Sequence, residues 1–249
     1  LAERPAKLLA FVHVETSTGA CQPIQEMVRV ARRHGALVAM DCVTSLGGIP
    51  IEIDAWGIDA AGSCTQKCLG APPGLGPLTV GPRAMAAVRG RRQQPATWYL
   101  DLSLLFQYWG EESASRKRAF HHTAPVAAIY GIHEALRLVL EEGLEARWAR
   151  HEQAHQSLVR GLGRIGLSLF TPPANRCPTI NVINVPPTVD EARVRSRMLE
   201  AGIEMGGGLG ALAGKVWRVG IMGYNAQEAT VDRFVGALEQ ALRSQGWRP

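Results

Sequence analysis

The sequence predicts a mixed α/β fold in two parts, and three observations predict it. Short apolar runs alternate with helix-spaced segments in the first part, as in a parallel sheet joined by crossover helices. Two long helical stretches follow between residues 125 and 162, separated by Gly143. The remainder returns to strand–helix alternation. The expected division is residues 1–142 and residues 143–249. A chain of 249 residues has room for one large or two modest domains.

Residues 7–14 form an apolar run that stops at Glu15-Thr16-Ser17-Thr18-Gly19, which suits a buried parallel strand feeding a loop. Residues 23–34 place Ile24, Met27, Val28 and Ala31 at helical spacing, and Gly35 ends them. Residues 36–40 are apolar again and end at Asp41. Strand, helix and strand in this order make a βαβ unit with a right-handed crossover. Residues 58–63 form a further short element leading to Thr65-Gln66-Lys67, and Pro72-Pro73-Gly74 breaks the chain. Residues 78–81 are strand-like and residues 82–88 form a helical turn.

From Pro125 the pattern changes. Val126, Ile129, Tyr130, Ile132, His133, Leu136, Val139 and Leu140 mark one long amphipathic helix. Residues 144–162 form a second, with Trp148, His155, Leu158 and Val159 on its inner side. Then come a strand (179–185), a helix (190–201), a glycine loop (206–210), a strand (216–221) and a helix (226–244).

Composition excludes several classes. With 46% hydrophobic and 20% charged residues, the chain is not disordered as a whole. The net charge of +5 comes from scattered Lys and Arg, whereas nucleic-acid binding needs a concentrated patch, so no nucleic-acid partner is expected. No apolar run reaches membrane-spanning length, and no membrane partner is expected. Leu1-Ala2-Glu3-Arg4 is not a secretory leader and reads as a chain whose beginning is missing. Cys21, Cys42, Cys64, Cys68 and Cys177 are an odd set, best read as reduced thiols. Cys64 and Cys68 lack a second pair at zinc spacing, and the adjacent His121 and His122 do not face one site, so no metal is expected. The ending Gly246-Trp247-Arg248-Pro249 is not a peroxisomal Ser-Lys-Leu signal. A cytoplasmic home is the default reading, with peroxisome or mitochondrion left open.

Ligands of α/β sheets gather beyond the carboxyl ends of parallel strands, where Asp41 and Lys67 both fall. A strand-end Asp is costly to bury unless a cation or strong donor faces it, and the protonated ring nitrogen of pyridoxal phosphate is one such partner. A lysine on the neighbouring loop can hold the aldehyde of that cofactor. An Asp here can equally be a helix cap or part of an ion pair, and a lone Lys is usually solvated.

The surrounding strings weigh in favour of the cofactor. Residues 15–19, 41–48 and 65–74 occur in order, followed by Trp98-Tyr99-Leu100-Asp101-Leu102, His121-His122-Thr123-Ala124-Pro125 and Gly214-Lys215-Val216-Trp217-Arg218-Val219-Gly220. Together they resemble the class V, fold-type I aminotransferases, and within them the alanine–glyoxylate / serine–pyruvate aminotransferase family, over residues 8–243. The resemblance implies the C-terminal half of a large pyridoxal-phosphate-binding domain (residues 1–142) plus a small α/β C-terminal domain (residues 143–249).

It also implies roles. Lys67 is the lysine that holds the cofactor, Asp41 the partner of its ring nitrogen, and Val43 the apolar residue against its face. Thr16 bonds near the ring hydroxyl. Gln66 and Thr123 are phosphate ligands, Thr123 reaching into the neighbouring site of a homodimer. Arg218 clamps the substrate carboxylate, which suits a planar bidentate guanidinium. The implied reaction moves an amino group from a small amino acid, alanine or serine, to a 2-oxo acid, glyoxylate or pyruvate.

Two departures stand out. Family members carry a long portion before the counterpart of Lys7, which supplies part of the phosphate cradle, a stacking aromatic residue and sheet strands. This polypeptide alone is therefore expected to be inactive or unstable. Phe120 stands where the family usually has Tyr, and loses one phosphate contact. Residues 69–74 are also similar to pyridoxamine–pyruvate aminotransferase, and residues 217–225 to ureidoglycine–glyoxylate aminotransferase. A cysteine desulfurase would need a mobile Cys, and Cys64 and Cys68 flank Lys67 too closely to serve. A truncated, inactive dimerisation partner is the remaining alternative.

Overall fold

The computed structural model describes residues 3–109 and 120–249. Strand β1 (Leu8–Val12) leads into a small ribbon in which β2 (Val14–Glu15) pairs antiparallel with β3 (Ala20–Cys21). The turn between them needs Gly19, at φ 73°, because a side chain there is strained. Helix α1 (Ile24–Arg33) carries the chain to β4 (Leu37–Asp41), parallel to β1 from Leu8 opposite Leu37 to Val12 opposite Asp41. A short α2 (Ile53–Trp56) precedes β5 (Ala60–Gly62), parallel to β4. Strand β6 (Leu78–Val80) returns antiparallel, giving the sheet order β1-β4-β5-β6.

Helices α3 (Pro82–Arg89) and α4 (Leu102–Trp109) follow, then the long pair α5 (Val126–Glu142) and α6 (Leu144–Arg164). Pro82 opens α3 at a position whose N–H has no helical partner anyway. The second sheet takes β7 (Ile180–Asn184), β8 (Gly206–Gly207) and β9 (Val216–Gly220) in the order β7-β9-β8, all antiparallel. Helix α7 (Glu191–Glu200) starts at Asp190, whose carboxylate accepts the Arg193 N–H at 3.0 Å, and α8 (Glu228–Arg243) closes the chain.

Each sheet has its own apolar core. In the first, Ile24, Val28 and Ala31 of α1 cover Val38 and Met40 of β4. In the second, Leu158 and Leu162 of α6 and Leu238 and Leu242 of α8 pack over Ile183 and Trp217.

Three sequence expectations need correction. The glycine loop is partly strand: Gly206 and Gly207 pair with Arg218 and Trp217, because β9 offers an open edge that only backbone has to match. The apolar stripe of α5 forms the expected helix, but of its eight residues only Val139 is buried, and Val126, Tyr130 and Leu140 are exposed. The inner face of α6 is rotated: Arg147, His151, Ala154, His155, Leu158 and Leu162 are buried, whereas Trp148 and Val159 are only half-buried. Helices α2 and α4 and the β2–β3 ribbon went unread.

Candidate active site

Parallel strands β1, β4 and β5 all end at one edge, at Val12, Asp41 and Gly62. Asp41 is the last residue of β4. One of its carboxylate oxygens accepts the Val43 N–H at 2.7 Å, which folds the chain back on itself as an Asx turn. The residue is exposed rather than buried, and among the described residues no basic side chain pairs with it. Its negative charge is thus available to a ligand. Asp41 and Val43 line one open cavity of ≈ 620 Å³ with Phe11, Met40, Ala61 and Ser63.

Lys67 sits on a loop that bonds to itself. Thr65 donates its hydroxyl to the Pro72 carbonyl at 2.6 Å, the Ala71 N–H reaches the Thr65 carbonyl at 3.0 Å, and the Gly70 N–H reaches the Lys67 carbonyl at 3.0 Å. Cys68 and Leu69 are buried anchors, while Lys67 is half-buried and Gln66 exposed. Burial pushes the Cys68 thiol up to about 12, so it stays protonated and is no nucleophile at neutral pH. All five cysteines are free.

Thr16 lies in the β2–β3 turn, which the preceding residue stiffens. The Glu15 carboxylate accepts both the Ser17 N–H at 2.8 Å and the Ser17 hydroxyl at 2.7 Å. These bonds hold its carboxyl below the usual range, and the positive charge of Arg218 adds to the effect. Arg218, half-buried on β9, donates its Nε–H to the Gly207 carbonyl at 2.7 Å. The Thr171 hydroxyl donates to the Thr18 carbonyl, pinning the turn to the second half of the chain.

The structure therefore brings Arg218 within electrostatic reach of the Thr16 turn and joins Asp41 to Val43, while no hydrogen bond or shared cavity wall links Lys67 or Gln66 to either pair among the described residues. It does not join Thr123 to them: that residue is exposed, and no hydrogen bond links it to the others among the described residues. Phe120 is exposed as well. His121 and His122, expected to face apart, have their Nδ1 atoms 2.8 Å from each other. Because the Trp98 carbonyl can only accept, it takes the His121 Nε2–H at 3.2 Å, and His122 then donates to His121 Nδ1. No cluster of three or more metal-ligating side chains occurs among the described residues.

Sequence reasoning missed Glu15, Ser17, Arg147 and His151. For the last two a signal existed: Arg147, His151 and His155 recur every four residues on one side of α6, a polar stripe at helical spacing.

A mixed sheet with a parallel core, with Asp41 ending β4 and Lys67 on the loop after β5, has the fold of the fold-type I transferases of the pyridoxal-phosphate class. The chain belongs to the class-V aminotransferase family, which matches residues 1–234. Over 245 residues it is 40% identical to alanine–glyoxylate aminotransferase of Oryctolagus cuniculus, covering 98% of this chain and 62% of the rabbit protein. Among solved structures, alanine–glyoxylate aminotransferase from Nostoc sp. superposes with a TM-score of 0.93 at 48% identity, over 97% of this chain and 63% of that one. Ureidoglycine–glyoxylate aminotransferase from Bacillus subtilis gives 0.92 at 36% identity, over 98% and 62%. The chain thus spans about 60% of the length of these relatives.

The residues present fit the cofactor of this family, pyridoxal 5′-phosphate. Asp41 offers an exposed carboxylate with no ion-pair partner among the described residues, Lys67 offers a primary amine, and an apolar cavity wall runs between the strand ends.

Proposed function

We propose that the protein is a transaminase moving an amino group from a small amino acid, alanine or serine, to glyoxylate or pyruvate. The observation that carries this reading is the trio of Asp41 at the end of β4, Lys67 on the loop after β5, and Arg218 anchored on Gly207. When bound, pyridoxal phosphate supplies an aldehyde to receive the amino group and a conjugated ring to take up electron density from the substrate's α-carbon.

The chain's residues do the rest. The Asp41 carboxylate keeps a proton on the ring nitrogen, and the Asx turn at Val43 aims that carboxylate. Lys67 would hold the cofactor by its aldehyde and would move the proton at the substrate's α-carbon. Val43 would supply the apolar residue against the ring, Thr16 a hydrogen bond near its hydroxyl, and Gln66 and Thr123 the phosphate ligands. Arg218 orients the substrate carboxylate with the nitrogens that Gly207 leaves unengaged. Residues 1–142 form the cofactor-binding part and residues 143–249 the smaller part, each with its own core.

A homodimer completes the site, Thr123 serving the neighbouring subunit; the exposed Trp98, Tyr99, Leu100, Val126 and Tyr130 support such a contact. No described helix is long and apolar enough to cross a membrane. Five free thiols suit a reducing, cytoplasmic setting. A ureidoglycine donor is the second reading, supported by the likeness of residues 217–225 and a TM-score of 0.92 to the Bacillus subtilis enzyme, though at 36% identity against 48% for the Nostoc alanine–glyoxylate enzyme.

Two measurements test the proposal. Pyridoxal phosphate trapped with borohydride and mapped by peptide should label Lys67. A donor panel assayed with glyoxylate and pyruvate, on an enzyme completed with the N-terminal portion its relatives carry, should show alanine or serine turnover that Lys67→Ala abolishes. Label elsewhere, or turnover surviving the substitution, refutes the assignment.

A further inference from the structure

Helix α6 reaches the lysine loop through Arg147 and the turn after β9 through Arg150 and His151, three side chains that the reaction itself does not use. Arg147, buried, donates from Nη2 to the Cys68 carbonyl at 2.5 Å and from Nη1 to Glu142 at 2.6 Å. Arg150 grips the same carboxylate at 2.6 and 3.0 Å, and donates from Nη1 to the carbonyls of Gly223 and Ala226, both at 2.8 Å. His151 accepts the Gly223 N–H at Nε2, at 3.1 Å. A backbone N–H only donates, so the imidazole proton is on Nδ1, where it meets the Arg147 carbonyl at 2.8 Å.

Gly223 is where these bonds converge. Its N–H and its carbonyl are both held by α6, and its φ of 58° favours glycine. A Cβ on it would stand 3.5 Å from the Lys67 carbonyl, the Cys68 carbonyl and the Gly70 Cα. The turn after β9, the strand that carries Arg218, thus lies directly against the backbone of the lysine loop.

We propose that Arg147 and His151 are positioning residues that clamp the Lys67 loop to the turn following the Arg218 strand, with Glu142 and Arg150 completing the clamp. One carboxylate shared by two guanidinium groups, both spent on backbone carbonyls, is a rigid charge-assisted frame. A reactive amine and a substrate clamp have to be held to about half an ångström relative to each other, and rigid second partners are how proteins do it. The proposal rests on Lys67 being the cofactor lysine.

The test uses two variants of the chain completed with the N-terminal portion its relatives carry, so that the whole cofactor cradle is present. Arg147→Met removes the bond to Cys68 while leaving Glu142 paired with Arg150. Arg147→Lys restores one donor. Amide hydrogen exchange is followed at Gly70, Ala71 and Gly223, with Val194 on α7 and Leu238 on α8 as references in the second core. Borohydride-trapped pyridoxal phosphate at Lys67 is quantified against label at Lys7 and Lys215.

In the Met variant, exchange at the three amides should rise about tenfold, the equivalent of one hydrogen bond's net contribution, and the Lys67-to-Lys7 label ratio should fall comparably. The Lys variant should recover part of both, which a general loss of stability would not produce; it also answers the question alone should the Met form not fold. Normal exchange and a normal label ratio in the variants overturn the clamp. A completed wild-type enzyme whose Lys67 takes no label overturns the cofactor reading, and the clamp's purpose with it.

Discussion

Arg218 of β9 and Gly207 of β8 are joined across neighbouring strands by a hydrogen bond from Nε–H to carbonyl at 2.7 Å. The bond fixes the stem-side nitrogen of the guanidinium and leaves both Nη groups for a two-oxygen ligand. A lysine has one nitrogen and cannot serve Gly207 and a carboxylate in the same way. Arg218→Lys is therefore expected to lower kcat/KM for the amino donor by about 10–100-fold, mainly through KM, as one charge-assisted contact is lost. Steady-state kinetics over a donor series check this; an unchanged KM means Arg218 does not touch the donor.

Gly48 has no room for a methyl group. A Cβ there would collide with the Thr179 methyl and lie 2.8 Å from the Cys68 sulfur. Overpacking a site closed on both sides costs about 1–3 kcal/mol. Gly48→Ala should lower the urea midpoint accordingly, and because Cys68 follows Lys67 in the chain, borohydride-trapped label at Lys67 should fall as well. A fully stable variant would show that Thr179 and Cys68 can both retreat.

Acid should destabilise the fold before the carboxylates titrate. Burial lowers His13 to about 4, and it lowers His151 and His155 as well. For His151 the nearby Arg147 and Arg150 also disfavour the charged ring, whereas the Nδ1–H bond to Arg147 and the charge of Glu142 oppose the shift. A group with a depressed basic pKa binds fewer protons folded than unfolded, so stability is full above the unfolded value near 6.5 and falls as pH drops below it. Each such histidine contributes a slope of up to about 1.4 kcal/mol per pH unit. Urea midpoints at pH 7 and pH 5 should differ clearly, and a flat profile over that range would contradict the buried neutral state.

What the sequence made legible follows from what its patterns encode. β1 and β4 were readable because strands of a parallel sheet are continuously apolar, although the expected burial of β1 is not met, none of its five residues being buried. Asp41 falls at the end of β4 because the apolar run stops there. Gly206 and Gly207 were not, since glycine has little strand preference and only the pairing with β9 makes them strand. Of the polar stripe on α6, His155 is legible beside the apolar Leu158, whereas Arg147 and His151 are not, because apolar periodicity carries no signal for buried polar groups. The approach of Arg218 to Glu15 joins residues from opposite ends of the chain, which no local pattern reports.

Asp59 escaped notice for the same reason, and it supplies a sharp stability test. Its side chain is buried, and Oδ2 accepts the Val38 N–H at 2.8 Å in the middle of the first core. Arg83 reaches the carboxylate at 3.1 Å while also donating to the Ala36 carbonyl at 3.2 Å, and Arg32 stands at 3.7 Å. The two arginines are 39% and 43% exposed, so solvent screens them and the ion pairs contribute under about 1 kcal/mol each. The larger quantity is the Val38 N–H, which Asp59→Ala would leave buried without an acceptor at a cost of about 1–3 kcal/mol. Asp59→Asn keeps an oxygen for that N–H and loses only charge. The alanine variant is therefore expected to fall about 2–4 kcal/mol below wild type and the asparagine variant about 1 kcal/mol, both read from urea unfolding. Equal losses would mean that the arginines, not the backbone amide, are what Asp59 holds.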